Sequence, residues 1–283
     1  MKYAFLTTLI PPSMYDEVLL KSKRNMQDAA SALQWHIYNG LRTNLKQEIK
    51  IFNVLPIGSF PQYYSDLFVR GSDFNDENSE RHANIGFCNL KLFRKWHQPK
   101  VIYKRLKKWC AEDNEPKTLF VYTVGAQLMA AVSRLKKRYP TLKVCAVVAD
   151  LPNMSDLSSK RSFLLRCFSG FMSVKAYSQL DTVDAFVLLT EQMADYMKIN
   201  VPYCVMEGIS TKPQREPDFV GADDIKTILY TGTLHKKFGI MNLVDAFSQI
   251  ENENYRLVIC GIGDSEDEIR EAASKDSRIE FLG

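Results

Sequence analysis

Short runs of adjacent apolar residues recur along this chain and alternate with longer segments of helical periodicity. In the run Lys143–Ala149 the apolar residues follow one another instead of occupying every second position. Adjacent apolar residues indicate a strand that is buried on both faces, as in a parallel sheet covered by helices. The alternation of such strands with helices therefore predicts a doubly wound, Rossmann-like α/β domain.

The first 206 residues are predicted to form that domain. Strands are predicted at Tyr3–Thr8, Glu48–Leu55, Asn84–Leu90, Thr118–Thr123, Lys143–Ala149 and Ala185–Thr190. Apolar residues spaced three and four apart predict helices over residues 26–45 and 125–138. The stretch Pro56–Arg81 is rich in Gly, Ser, Asp and Asn, which predicts a long irregular loop.

A second unit is predicted after a polar, proline-bearing linker at residues 207–224. Within residues 225–283, strands are predicted at Thr227–Thr231, Tyr255–Cys260 and Arg278–Leu282, with helices at Ile240–Ile250 and Glu266–Ala273. Three strands and two helices make half of a doubly wound domain, and a unit of roughly 60 residues buries little surface. We therefore expect a partial second Rossmann-like domain, belonging to a truncated or split protein.

The composition bears on the class of protein and its compartment. The chain is 46% hydrophobic and 25% charged with a net charge of +4, which is too weak a basic excess for a dedicated nucleic-acid binder. The six cysteines form no C-x-x-C pair, which argues against structural zinc and favours buried, reduced thiols in the cytoplasm. The apolar start Met1–Ile10 is short and ends at two prolines, so a first strand explains it better than a signal peptide. No segment reaches the ~20 apolar residues of a membrane span.

The junction Ile228–Ile240 carries the clearest candidate for ligand chemistry. A strand runs into Gly232, then into Lys236 and Lys237, and a helix begins at Gly239-Ile240. Gly232 would let the backbone approach a phosphate, the helix N–H groups attract anions, and either lysine adds charge. An ordinary strand–helix turn with solvated lysines explains the same residues equally well.

A second glycine turn follows the strand Tyr255–Cys260. Gly261 and Gly263 lie between this strand and a predicted helix, which is the position of a phosphate-binding turn. The third glycine of the dinucleotide fingerprint is missing, and Asp264 would repel a pyrophosphate. Taken alone, a tight strand–helix turn is the simpler interpretation.

Taken together, the segments of the second unit are a more specific signal than either glycine turn alone. Their order and spacing from Tyr230 to Gly283 resemble the start of the donor half of family 4 glycosyltransferases. The resembling segments are Tyr230–Ile240, Asn242–Phe247, Arg256–Asp264 and Arg278–Gly283. Segments of the first unit resemble the acceptor half more loosely, at Val148–Pro152, Leu188–Glu191 and Val205–Ile209.

The resemblance implies the two-domain GT-B architecture. It also implies transfer of a sugar from a nucleotide diphosphate sugar to a hydroxyl, with retained anomeric configuration and without a metal or other cofactor. The branch that this chain resembles most builds bacterial surface polysaccharides. A glycan or lipid-linked acceptor and a location at the inner membrane face are therefore expected.

The resemblance also assigns binding residues. A basic pair after the first donor-side strand holds the diphosphate in the family, which implies this role for Lys236 and Lys237. Thr233 stands where an arginine is common, and Phe238 stands where the lysine is expected. The family's paired-glutamate loop would follow Gly283. The alternative function is therefore a non-catalytic, truncated or split-enzyme subunit that binds an acceptor or a chain completing the donor domain.

On the acceptor side, Asp150 is the candidate catalytic residue. It ends a predicted buried strand at the edge of the expected cleft, where an acid could orient or deprotonate an acceptor hydroxyl. The structural alternative is an aspartate that caps the turn at Pro152. His82 and His97 have no catalytic partner nearby in sequence and receive no role.

A strongly basic segment, Lys91–Trp109, carries eight Lys or Arg residues and no acid, interleaved with aromatic residues. Its apolar positions Ile102, Leu106, Trp109 and Cys110 are predicted to form one buried helical face. Two interpretations remain open: a solvated basic helix docked on the sheet, or a surface that binds anionic lipids. RNA binding fits less well, because no RNA-binding motif is present.

Overall fold

The computed structural model describes residues 1–23, 26–151, 179–209 and 225–283. The chain divides into two units, Met1–Lys212 and Pro213–Gly283. The predicted linker at residues 207–224 lies mostly outside the described residues, as do Cys167 and Pro152.

The first unit is built on an eight-stranded sheet. Its strands are β1 Lys2–Thr7, β2 Ile49–Asn53, β4 Ser72–Asn75, β5 Arg81–Asn84, β7 Lys117–Tyr122, β8 Lys143–Val148, β9 Ala185–Leu188 and β10 Tyr203–Val205. A separate antiparallel pair is formed by β3 Phe68–Val69 and β6 Phe87–Cys88. The sheet order is β10-β9-β8-β7-β1-β2-β5-β4, and every neighbouring pair is parallel except β4 with β5.

Helices cover both faces of this sheet. In the described residues they are α1 Tyr15–Lys21, α2 Asp28–Leu45, α3 Lys91–Cys110, α4 Ala126–Arg138 and α5 Gln192–Met197. Consecutive strand residues enter different cores: Leu6 packs into the core under α3 and α4, whereas Phe5 packs into the core under α2. This alternation confirms that the strands are buried on both faces, as their adjacent apolar residues predict.

The second unit repeats the pattern on a smaller scale. Its strands β11 Lys226–Thr231, β12 Tyr255–Cys260 and β13 Ile279–Phe281 form a parallel sheet in chain order. Helices α6 Ile240–Ser248 and α7 Glu266–Lys275 pack against it. Ile240, Val244 and Phe247 bury one face of α6 against Leu257 and Ile259 of the central strand.

Two sequence-based predictions for the first unit were wrong. The stretch Pro56–Arg81 is not an irregular loop throughout, because it contains β3 and the edge strand β4. The strand predicted at Asn84–Leu90 instead lies at Arg81–Asn84, followed by the short β6. Of its four residues β4 buries only Phe74, and β5 buries the polar His82 and Asn84 on either side of Ala83, so neither strand has the adjacent apolar residues that mark central ones.

The cysteine prediction holds only in part. Cys88 and Cys110 are buried and free, and burial raises the pKa of the Cys110 thiol to about 11. Cys204, however, is exposed on the edge strand β10. Among the described helices, none combines the length and the apolar character that crossing a bilayer requires.

Candidate functional site

The loop between β11 and α6 lies at the carboxyl edge of the second unit's sheet. After Thr231 the chain passes through Gly232, makes a 3-10 turn at Lys236–Phe238, and enters α6 at Ile240. Gly239 joins the turn to the helix in the left-handed region, with φ of 78°. Only glycine adopts that conformation without steric cost, which explains its place before the helix. Parallel strands end at the same edge, so the loop after β12 runs beside this one.

Backbone hydrogen bonds hold the two loops together. The Gly232 amide donates to the Cys260 carbonyl at 3.0 Å, and the Leu234 amide donates to the Ile262 carbonyl at 3.0 Å. A Cβ atom on Gly261 would lie 1.8 Å from the Gly232 carbonyl oxygen. These contacts give Gly261 a structural reason to be glycine, independent of any ligand.

Gly263 is constrained in the same way. A Cβ atom there would lie 2.3 Å from the Leu234 carbonyl oxygen. That oxygen also accepts a hydrogen bond from the Ser265 amide at 3.0 Å. Both glycines of the second turn therefore allow close packing of the loops, and ligand binding by them stays a prediction.

Lys236 is compensated by acidic groups of the neighbouring loop and helix. Its ammonium forms an ion pair with Glu268 of α7, and its amide donates to Asp264 Oδ1 at 3.0 Å. His235 Nδ1 lies 3.2 Å from Asp264 Oδ2. The Lys236 amide and the His235 ring both hold the pKa of Asp264 below its ordinary value. A diphosphate would have to compete with these carboxylates for Lys236.

Lys237, unlike Lys236, is not paired with an acidic side chain of the described residues. Its ammonium lies 4.8 Å from the centroid of the Phe238 ring, and it forms no ion pair with any described residue. The Thr233 carbonyl accepts a hydrogen bond from the Tyr230 hydroxyl at 3.2 Å, and the Thr233 residue is exposed. The exposed Thr233 and the uncompensated ammonium of Lys237 therefore lie on the same loop as the Gly232 turn.

In the first unit, Asp150 follows β8 and is exposed. Its charge lies close to the hydroxyl of Tyr122, whose pKa is raised to about 12 chiefly by burial and further by Asp150. Thr123, which follows Tyr122 at the end of β7, has φ of 63°, and its amide donates to the Val147 carbonyl at 2.7 Å. A β-branched residue at positive φ is strained, and such strain concentrates at functional sites.

The sequence did not reveal how the loop after β1 is held. The Gln34 side chain, fully buried on α2, accepts from the Thr8 amide at 2.7 Å and donates to the Thr8 carbonyl at 3.0 Å. Asn53 Oδ1 accepts from the Leu9 amide at 2.9 Å, and Asn53 Nδ2 donates to Asn84 Oδ1 at 3.0 Å. Two sequence features could have indicated these contacts. One is a glutamine on an apolar helix face, and the other is an asparagine at the end of an apolar strand.

His82 was also missed, because it is buried instead of lying in a polar loop. The Tyr38 hydroxyl lies 2.7 Å from Asp76 Oδ2, 3.2 Å from Glu80 Oε2 and 3.3 Å from His82 Nε2. The turn between β4 and β5 therefore closes onto α2. Because β5 begins at Arg81, this cluster lies at the amino ends of the parallel strands, away from the edge where ligands bind.

Asp76, Glu80 and His82 are close enough together to hold a metal ion. The hydrogen bonds do not fit that role. The Ile51 amide donates to His82 Nδ1 at 3.2 Å, so Nδ1 must be unprotonated and the ring proton lies on Nε2. A metal on Nε2 would move the proton to Nδ1, where it would face the Ile51 N–H. The cluster is a buried hydrogen-bond network that fixes the hairpin.

His97 lies on α3, where its Nδ1 accepts from the Cys88 amide at 3.1 Å. Ile102, Leu106, Trp109 and Cys110 are buried on the same helix. The predicted apolar face of the basic segment is therefore confirmed, and the segment is a helix docked on the sheet.

Comparison with known proteins settles the fold. No model of a protein family matches the sequence, and no curated protein sequence matches it significantly. Several solved structures do match, with TM-scores above 0.5. The N-terminal domain of Candida albicans trehalose-6-phosphate phosphatase is 10% identical, with a TM-score of 0.61, 99% of this chain covered and 71% of that chain covered.

Two further solved structures are similar to this chain. TarM is 9% identical with a TM-score of 0.56, and the match covers 100% of this chain and 76% of that one. The pneumococcal O-GlcNAc transferase GtfA, solved in complex with UDP and GlcNAc, is 9% identical with a TM-score of 0.53 and the same coverage. The chain has a GT-B-like α/β fold.

Proposed function

We propose that this chain is a glycosyltransferase that moves a sugar from a nucleotide diphosphate sugar to the hydroxyl of a glycan acceptor. The observation that carries the proposal is the β11–α6 loop, which presents Gly232, exposed backbone and the uncompensated Lys237 at the carboxyl edge of the second sheet. An anionic diphosphate is the ligand that such a loop suits. The GT-B-like fold and the UDP complex of GtfA support the same donor class.

Within the proposal, Lys237 is the principal diphosphate ligand, and Lys236 contributes if the ligand displaces Glu268. Asp150, at the corresponding edge of the first unit, orients the acceptor hydroxyl. The acceptor is a lipid-linked glycan of a surface polysaccharide, and the protein works at the inner face of the membrane. The reaction retains anomeric configuration and needs no metal.

Calorimetric titration with UDP- and GDP-sugars tests the donor site. Lys237→Ala should weaken binding about tenfold, which corresponds to ~1.4 kcal/mol. Lys236→Ala should weaken it less, because Glu268 already compensates that ammonium. Lys275→Ala removes an equal charge from the far end of α7 and should change nothing. A wild-type chain that binds no nucleotide sugar would refute the proposal.

Product analysis tests the reaction itself. With a bound donor and an isolated lipid-linked acceptor, the product should show the donor's anomeric configuration by NMR, and EDTA should not slow its formation. Asp150→Asn should lower turnover without changing donor affinity. Donor binding without any transfer would instead support the alternative function, a non-catalytic binding subunit.

A further inference from the structure

Several large apolar side chains of the first unit are exposed near the amino end of α3. Leu92 and Trp96 are 74% and 73% exposed, and Leu20 of α1 is 85% exposed. Together with these three, the apolar patch consists of Leu19, Phe68, Leu90 and Phe93. Scattered exposed apolar residues are ordinary, but a group of this size marks an interaction surface when its members are neighbours.

Hydrogen bonds show that the three segments bearing the apolar patch are neighbours. The Lys21 carbonyl at the end of α1 accepts from the Ser65 amide at 3.0 Å, and the Lys21 ammonium pairs with Asp66 at 2.8 Å. The Leu67 carbonyl accepts from the Asn89 amide at 2.7 Å, just before α3. The apolar patch therefore extends over α1, β3 and the first turns of α3.

The apolar patch continues into a row of lysines. Lys100, Lys104 and Lys107 follow Phe93 and Trp96 at spacings of three and four, so the five share one side of the helix. All three lysines are exposed and form no ion pair with a described residue, and α3 contains no acidic residue. We call Lys100, Lys104 and Lys107 the basic stripe.

We propose that the apolar patch and the basic stripe form a docking surface for an anionic lipid bilayer. A bilayer offers both chemistries that this surface needs: acyl chains for the leucines and aromatic rings, and headgroup phosphates for the lysines. Lysine stems lie along apolar surface while their ammonium groups stay at headgroup level. The inference deepens the proposed function and rests on its membrane location, but not on its donor site.

Vesicle binding tests the surface on the whole chain. The wild-type protein should co-sediment with phosphatidylcholine vesicles that contain phosphatidylglycerol, and not with pure phosphatidylcholine vesicles. Added salt should weaken this binding. Trp96 is the exposed one of the three tryptophans, so its emission should shift to the blue on binding, and Trp96→Phe should remove that shift.

Matched variants separate the contribution of the basic stripe from that of the apolar patch. The triple variant Lys100→Gln, Lys104→Gln, Lys107→Gln should lose at least about tenfold in vesicle partitioning, since each lysine lies within reach of the headgroups. A control with Lys46, Lys198 and Lys275 changed to Gln removes the same charge elsewhere and should bind as wild type does. Leu92→Ser should lose binding without losing stability, because that side chain is already exposed.

Three results would overturn the proposal. These are wild-type protein that ignores anionic vesicles, a stripe variant that binds as well as the control variant, or light scattering that shows a dimer dissociated by Leu92→Ser without a change in vesicle binding. Donor calorimetry on the same variants should be unaffected. Failure of membrane docking is thereby distinguishable from failure of the donor site.

Discussion

At the scale of single residues, the buried imidazole of His82 makes folding stability depend on pH. Burial lowers its pKa from the ordinary 6.5, although Asp76 partly opposes the shift. Below that pH the unfolded chain binds a proton that the folded protein excludes, so stability falls as pH falls. In urea unfolding from about pH 7.5 to about pH 5, His82→Gln should show a flatter dependence than wild type. Equal slopes would contradict the buried neutral ring.

Gly261 provides a second test at this scale. The contact of a Cβ atom with the Gly232 carbonyl predicts that Gly261→Ala forces the two loops apart and destabilises the second unit by about 3 kcal/mol. Gly40→Ala is the matched control, because nothing lies within 4 Å of a Cβ there and a helix favours alanine. Chemical denaturation of both variants gives the comparison. A Gly261→Ala protein of wild-type stability would show that the loops separate freely.

The sequence predicts a site best when the residues that form it are contiguous in the chain. The glycine turn at Gly232 and the lysines after it are contiguous, so sequence alone identified them as a candidate anion site. The engagement of Lys236 by Glu268 joins residues on different elements, and no local pattern encodes it. The same is true of Gln34, whose partner Thr8 lies across the core. Long-range polar contacts thus decide which predicted residues are available to a ligand.

At the scale of elements, the hairpin of β4 and β5 shows where the strand signal fails. Central strands were found because both faces are apolar, whereas β4 buries only Phe74 among four residues. Its stability comes instead from the turn that follows. Asp76 accepts from the Tyr38 hydroxyl at 2.7 Å and from the Glu80 amide at 2.8 Å.

Substitutions of two aspartates in this hairpin should cost different amounts of stability. Asp76→Ala removes the nearest acceptor of the Tyr38 hydroxyl and the acceptor of the Asn78 and Glu80 amides, and should cost about 2 to 3 kcal/mol. Asp73→Ala removes ion pairs with Arg81 and Arg105, whose side chains are 74% and 47% exposed, and should cost less than about 1 kcal/mol. Urea unfolding monitored by circular dichroism checks both. Equal losses would mean that the turn network contributes no more than a surface pair.

At the scale of the whole molecule, the two units have separate hydrophobic cores. In the described residues, the first unit's cores lie on both faces of the eight-stranded sheet, while the second unit's core centres on β12. Alternating strands and helices were enough to predict both units, because each buries its own apolar residues. Small cores are the less stable ones, so the second unit is expected to unfold first on heating.

Calorimetry should therefore show two transitions, of which the lower belongs to the second unit. Leu257 is fully buried in that unit, so Leu257→Ala should lower only the first transition, by about 2 to 5 kcal/mol of unfolding free energy. A nucleotide sugar should raise the same transition, since a ligand stabilises the folded unit that binds it. Lys237→Ala should reduce that rise, because it weakens donor binding, whereas His82→Gln should shift the upper transition alone. A single transition that responds to all of these changes would contradict independent cores.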